Sequence, residues 1–137
     1  MLMNSKMKDL VAATIQAPAL SPELAEILSS GFVESEGCIL FAAEAKKAIR
    51  NPSMDATEFE SFANHVHMKS FPMSLLFASE LLTALREIFP EKFVVIVAFD
   101  GSTATVRFHK DRPGTPWIDI NGLDNFKEEA VGILYSI

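Results

Sequence analysis

The feature that most constrains this fold is a change in the spacing of apolar residues at Phe93. Before that residue, apolar side chains recur every three or four positions, as on the buried stripe of an amphipathic helix. From Phe93 to Phe99 every residue is apolar, and from Ala104 to Phe108 apolar and polar residues alternate, which indicates β-strands. A chain of 137 residues has room for about one domain. We therefore expect residues 1–137 to form a single α+β domain.

Helix signals are clearest at three places before Phe93. Ser21-Pro22-Glu23 provides an N-cap hydroxyl, a proline and a first-turn carboxylate, and Gly31 can supply the left-handed residue that ends this helix. Asp55-Ala56-Thr57-Glu58 has capping-box spacing and predicts a helix that continues through Val66. The broadest apolar stripe, residues 75–89, stops at Pro90 and predicts the central helix of the core.

Two other segments have alternative interpretations. Residues 35–50 follow helical spacing, although Cys38 to Phe41 alone also fits a buried strand. At the N-terminus, two lysines, an apolar stretch at residues 10–15 and Ala17-Pro18-Ala19 resemble a secretory signal peptide. This stretch of six residues is shorter than the ~7 to 15 of a signal peptide, so we favour a helix ended by Pro18. With Cys38 as the lone cysteine, the chain fits a reducing compartment, and we expect it to stay in the cytoplasm.

The C-terminal third predicts an antiparallel meander closed by a helix. Asp100-Gly101 is a hairpin signal between the two strands. A two-residue turn places Val95 opposite Val106, whereas a three-residue turn places Ile96 there, and the apolar first strand fits both registers. Either way, Val95 and Val106 are predicted core. A third strand at residues 117–120 and a last helix from Leu123 to the C-terminus complete an α+β fold in which the helical N-terminal part packs on the meander.

Histidine and cysteine positions do not favour catalysis or metal binding. Within a predicted helix, His65 and His67 point about 200 degrees apart and cannot bind one metal ion together. A shared metal ion is possible only if this segment is extended. Asp111 lies two residues after His109, and such a carboxylate could orient the histidine as a general base. The sequence offers no obvious nucleophile for this base to activate. Cys38 lies among acidic residues and is expected to be a small core side chain. We expect no enzymatic activity, no cofactor and no metal.

Charge gives the sequence its clearest functional direction. The formal net charge is −6, and residues 23–60 hold eight acidic residues against three basic ones. This balance opposes binding to nucleic acid, and no apolar run approaches the ~18 residues of a membrane span. The acidic segment is either a solvated face or an electrostatic lure for a basic protein.

The C-terminal third resembles small bacterial immunity proteins paired with contact-dependent growth inhibition and other polymorphic toxins. The resemblance lies in Phe93–Phe99 with its Asp100-Gly101 turn, residues 106–110, Arg112-Pro113-Gly114, Trp117, Leu123, Phe126 and residues 128–131. It implies a cytoplasmic, non-enzymatic protein that binds the toxin domain of its cognate effector, often a nuclease, and occludes the active site.

The expected partner surface combines an acidic lure with an aromatic anchor. Standard interfaces need a few desolvated anchors as well as charge. Trp117 beside Arg112 is the candidate anchor, although it also fits a role packed under the last helix. The alternative is that the chain is a small-ligand-binding or structural accessory protein, and a small enzyme ranks third. The sequence does not determine the oligomeric state. The candidate lure residues are Glu34, Glu36, Asp55, Glu58 and Glu60.

Overall fold

A computed structural model describes residues 1–135 and shows an α+β protein. Five strands form one antiparallel sheet, and two further strands form a separate hairpin. No helix among the described residues is long and apolar enough to cross a membrane. In chain order the elements are β1 (Leu2–Met3), α1 (Ser5–Ala13), α2 (Pro22–Ser29), β2 (Phe32–Ser35), β3 (Cys38–Phe41), α3 (Ala42–Ala45), α4 (Ala56–Ala63), β4 (His65–Met68), α5 (Phe71–Ile88), β5 (Phe93–Phe99), β6 (Ala104–Lys110), a 3-10 helix (Ile120–Asn125) and β7 (Ala130–Tyr135).

The predicted helix starts are confirmed by their capping bonds. The Ser21 hydroxyl accepts the Leu24 N–H at the start of α2, and Gly31 follows that helix with φ +75°. The Asp55 carboxylate accepts the Glu58 N–H at the start of α4. The long helix α5 ends before Pro90, as the apolar stripe predicts. Helix α1 ends at Ala13 and not at Pro18, with Asn4 as its cap.

The five-stranded sheet has the order β1-β7-β5-β6-β4. Its central hairpin pairs Val95 with Phe108 and Val97 with Val106, so four residues, 100–103, form the loop. Both predicted registers are therefore wrong. The Asp100 carboxylate accepts the N–H groups of Ser102 and Thr103, and this local turn lengthens the loop beyond the Asp-Gly pair. Val95 and Val106 are fully buried, as predicted.

One face of this sheet, which we call the closed face, holds the main core. Phe93, Val95, Val97, Val106 and Phe108 point toward α5 and are all fully buried. Phe41 from the separate hairpin packs edge-to-face on Phe108, with ring centres 4.9 Å apart. The closed face thus joins both sheets and the long helix in one apolar cluster.

The prediction of a helix over residues 35–50 is wrong for most of its length. Residues 32–41 form the β2–β3 hairpin, and only Ala42–Ala45 is helical. The turn is Glu36-Gly37, where both residues have positive φ, +51° and +79°. That combination is the two-residue turn that matches strand twist. The alternative of a buried strand at Cys38–Phe41 is confirmed, and all four residues are buried.

Two further expectations near the chain's C-terminus are wrong. Residues 117–120 form no strand, and the predicted last helix is a 3-10 turn followed by β7. Residues 130–135 are apolar at nearly every position, a pattern that a two-sided buried strand and a helix share. Strand β7 lies between β1 and β5, so both of its edges are paired and both faces are covered. The predicted helix also covered residues 136 and 137, which lie outside the described residues.

Candidate binding surface

Helix α4 carries two side chains that connect the small hairpin to the large sheet. The Glu60 carboxylate accepts the N–H of Ile39 at 2.7 Å and the N–H of Lys110 at 2.9 Å. One turn later, the Asn64 side chain accepts the Phe41 N–H and donates to the Ile39 carbonyl. These side chains take the place of a neighbouring strand along β3, which explains why Glu60 is fully buried.

Burial of Glu60 corrects its prediction as a surface lure residue. Its carboxylate pairs with Arg112 at 2.6 Å, and Arg112 keeps only 23% of its side chain exposed. Arg112 also donates to Thr57, and both Arg112 and Lys110 donate to the Gly37 carbonyl at the hairpin turn. The Glu60–Arg112 pair is therefore structural, and it fixes the position of the hairpin tip beside α4.

We call the other four predicted lure residues the acidic rim: Glu34 and Glu36 belong to the β2–β3 hairpin, and Asp55 and Glu58 lie at the start of α4. Glu34, Glu36 and Glu58 are exposed, and Asp55 is half-buried. The N–H of Glu58 holds the pKa of the Asp55 carboxyl below its usual value. Among residues 1–135, Glu60–Arg112 is the only salt bridge, so the rim charges face solvent without a basic partner in contact.

Trp117 lies on the opposite face of the sheet from α5. Its ring stacks on Arg107 of β6, with the guanidinium carbon 5.6 Å from the ring centre, and 39% of the residue is exposed. The alternative that Trp117 packs under a last helix is wrong, since β7 replaces that helix. Arg107 also donates to the Ser61 carbonyl in the last turn of α4, and burial lowers the pKa of its guanidinium.

Further ring-bearing side chains lie near the Arg107–Trp117 contact. Phe62 of α4 is 53% exposed and lies 6.1 Å, centre to centre, from His65. His65 and His67 stand on the same face of β4, because successive side chains in a strand alternate between faces. The expectation of a helix through Val66 is therefore wrong. We call this set, Phe62, His65, His67, Arg107 and Trp117, the aromatic patch.

Helix α4 makes the acidic rim and the aromatic patch one continuous surface. Glu58 and Phe62 are one turn apart and both exposed, so they share a helix face. At the start of α4, Thr57 and Thr115 join hydroxyl to hydroxyl at 3.0 Å, which ties the Arg112–Trp117 loop to the helix. The surface thus offers charge at one end and aromatic area at the other, the two ingredients of a protein interface.

His109 lies inside the protein beside a small cavity. It is 3% exposed, and its Nδ1 donates to the Lys110 carbonyl at 2.6 Å, which leaves Asp111 without the orienting role expected for a catalytic pair. Burial lowers the pKa of the imidazole. The adjoining cavity has a volume of about 30 Å³, enough for a water molecule but not for a ligand.

Two larger clefts formed by the described residues contain no histidine and no cysteine. One of about 300 Å³ between α1 and α5 has no ionisable lining residue. A second of about 310 Å³ is lined by four ionisable residues: Lys6, Asp9, Asp100 and Glu128. Cys38 is buried, as predicted, and burial raises the pKa of its thiol, helped by the charge of Glu60. Residues 1–135 hold no group of three or more metal-ligating side chains.

Sequence reasoning missed Phe62, Arg107 and the histidine pair as members of one surface. Phe62 fits the apolar stripe of a helix that continues through Val66, but α4 ends at Ala63 and Phe62 is exposed. The available signal was Asn64, whose side chain competes with helical backbone bonding and favours a helix end.

Comparison with protein families matches residues 2–136 to a family described as the Uncharacterized protein PM0498 family, and the chain belongs to it. Neither the curated proteins nor the solved structures contain a match to the chain.

Proposed function

We propose that this protein is a non-enzymatic, cytoplasmic binding module that neutralises a basic toxin domain, as the immunity proteins it resembles do. The observation that carries the proposal is the continuous surface along α4. There the acidic rim faces solvent beside exposed Phe62 and Trp117, on a framework held rigid from within by Glu60 and Arg112.

The two ends of this surface have different roles in binding. The acidic rim raises the association rate by attracting a basic partner, an effect that weakens with salt. Phe62 and Trp117 provide apolar area that is removed from water in the complex, and such anchors set the dissociation rate. A standard interface buries about 800 Å² on each side, an area large enough for a bound toxin domain to cover both ends of the surface at once.

The test partner is the C-terminal toxin domain encoded beside this protein's gene. Association rates are measured by stopped flow at several salt concentrations for wild type and for Glu34→Gln/Glu36→Gln/Asp55→Asn/Glu58→Gln. Asparagine retains the capping acceptor of Asp55. A control variant with the same change in net charge replaces exposed acids elsewhere: Glu23, Glu26, Glu87 and Glu91, each by Gln.

We expect the rim variant to associate at least about tenfold more slowly at low salt, with the difference disappearing at high salt. The control is expected to change much less. Equal slowing of both variants would mean that only net charge matters. The lack of a toxin gene beside this one would contradict the immunity function itself.

A further inference from the structure

His65 and His67 form a pair whose geometry suits a shared metal ion. They occupy alternate positions of the edge strand β4, on the face opposite the main core. Their ring centres are 5.0 Å apart, and the ring planes meet at 69°. The sequence excluded a metal here only because the segment was expected to be helical, and the strand removes that objection.

Both imidazoles have one nitrogen engaged by the protein. His65 Nδ1 donates to the Phe62 carbonyl, and His67 Nδ1 bonds the Thr105 hydroxyl at 2.9 Å. No described residue bonds to either Nε2. A ring oriented through one nitrogen, with the other directed away from its partner, is the usual arrangement of a metal-binding histidine.

The ring separation agrees with two ligands on one ion. With a Zn–N bond of about 2.0 Å and the ring centre about 1.2 Å behind its nitrogen, a tetrahedral angle separates two imidazole centres by about 5 Å. We propose that His65 and His67 bind one divalent transition metal ion through their Nε2 atoms, with Zn²⁺ as the ion that fits best. Water molecules complete its coordination.

Nearby charges determine how firmly the ion is held. Arg107 pairs with His65 across the strands, and its guanidinium opposes a cation. That group is anchored to the Ser61 carbonyl and the Trp117 ring, and the negative charge of Glu129 acts on it. Two protein ligands beside a guanidinium make this an exchangeable site, unlike the four-ligand sites that hold structural zinc. The proposal does not depend on the protein's partner.

The test is a Zn²⁺ titration of the whole protein, followed by ¹⁵N NMR of the imidazole nitrogens. We expect one ion per chain and joint shifts of the Nε2 signals of His65 and His67. Buried His109 provides an internal control whose signals stay unchanged. Co²⁺ in place of Zn²⁺ reports tetrahedral coordination by its visible absorption spectrum.

Substitutions separate this site from general cation binding. His67→Gln removes an exposed ligand and is expected to weaken Zn²⁺ binding about tenfold or more, as is His65→Gln. Lys69→Gln, an exposed change beside the strand, serves as the matched control and leaves affinity within about twofold. Circular dichroism confirms that each variant is folded. Unchanged affinity in the double histidine variant, or separate ions on the two rings, would overturn the proposal.

Discussion

The two faces of the five-stranded sheet differ in what their side chains do. On the closed face, Val95, Val97 and Phe108 lie between the sheet and α5 without access to water. On the opposite face, residues 118–123 cover Val94, Ile96 and Ile133, but the half formed by β4 and β6 presents His67, Thr105 and Arg107. One face therefore provides stability, while the half of the other face formed by β4 and β6 keeps polar side chains at least partly exposed.

Helix α4 lies at the boundary between these two regions and serves both. Its buried side carries Glu60 and Asn64, which connect β3 to β6, and its exposed side carries Glu58 and Phe62. A rigid inner side holds the outer side in place, which reduces the ordering cost of binding.

The largest expected effect tests the closed face. Val95→Asp places a charge with no partner in the core, and we expect a loss of about 3 to 5 kcal/mol in unfolding free energy or an insoluble protein. Thr105→Asp, on the half of the opposite face formed by β4 and β6, is expected to lower the unfolding free energy by less than about 1 kcal/mol. Urea denaturation measures both. Similar losses for the two variants would remove the distinction between the faces.

The next largest effect concerns the Glu60–Arg112 pair. Arg112→Leu leaves a buried carboxylate without its counter-ion, and we expect a loss of about 3 kcal/mol. Lys110→Leu is the control, because it removes the other side chain that donates to the Gly37 carbonyl, an exposed hydrogen bond. It is expected to lower the unfolding free energy by less than about 1 kcal/mol.

A double-mutant cycle tests the same pair further. If Arg112 acts mainly through Glu60, the double variant Glu60→Gln/Arg112→Leu loses less stability than the sum of the two single losses, and additive losses would contradict the pairing.

A smaller effect depends on pH and on His109. Burial lowers the pKa of its imidazole from the ordinary 6.5, so the unfolded chain binds a proton at a pH where the folded protein does not. Stability from this group is complete above about pH 6.5 and decreases as the pH falls toward the folded-state pKa. His109→Asn keeps a donor for the Lys110 carbonyl and is expected to flatten the decrease between pH 7 and 5 in thermal melts. An unchanged slope would place the titration at other groups.

The smallest effect on stability is expected in the aromatic patch. Trp117→Ala removes a stacking contact with Arg107 that is worth about 0.5 to 1 kcal/mol at an exposed site, and Phe62→Ala removes a ring that is already half in water. Each variant is expected to stay within about 2 kcal/mol of wild type in urea denaturation. A larger loss for either would place that ring with the core and not with the binding surface.

Local signals predicted much of the helical framework, and long-range pairing decided the rest. Ser21 and Asp55 cap helices through bonds to residues three positions later, and Pro90 ends a helix locally. The starts of α2 and α4 and the end of α5 therefore follow from the sequence. Strand β7 depends on β1 and β5, which are distant in sequence, and its apolar run fits a helix as well as a strand.

The candidate binding surface was predictable only in part, for the same reason. Glu34, Glu36 and Glu58 are exposed, as expected from their charge, and Asp55 is half-buried. Glu60 has the same chemistry but is buried, because β3 has a free edge that its carboxylate satisfies. No local pattern distinguishes it from Glu58, two positions earlier.

The most direct test of the account is growth protection by a protein that has lost its aromatic anchors. Cells that express the neighbouring toxin domain are given wild type, Phe62→Ala/Trp117→Ala, or a control pair of exposed residues outside the proposed surface, Ile49→Ala/Ile88→Ala, at matched protein levels. If Phe62 and Trp117 anchor the toxin, wild type and the control pair restore growth, while the Phe62/Trp117 variant is folded, dissociates at least about tenfold faster and fails to protect. Full protection by that variant, with unchanged dissociation, would contradict the assignment of binding to this surface.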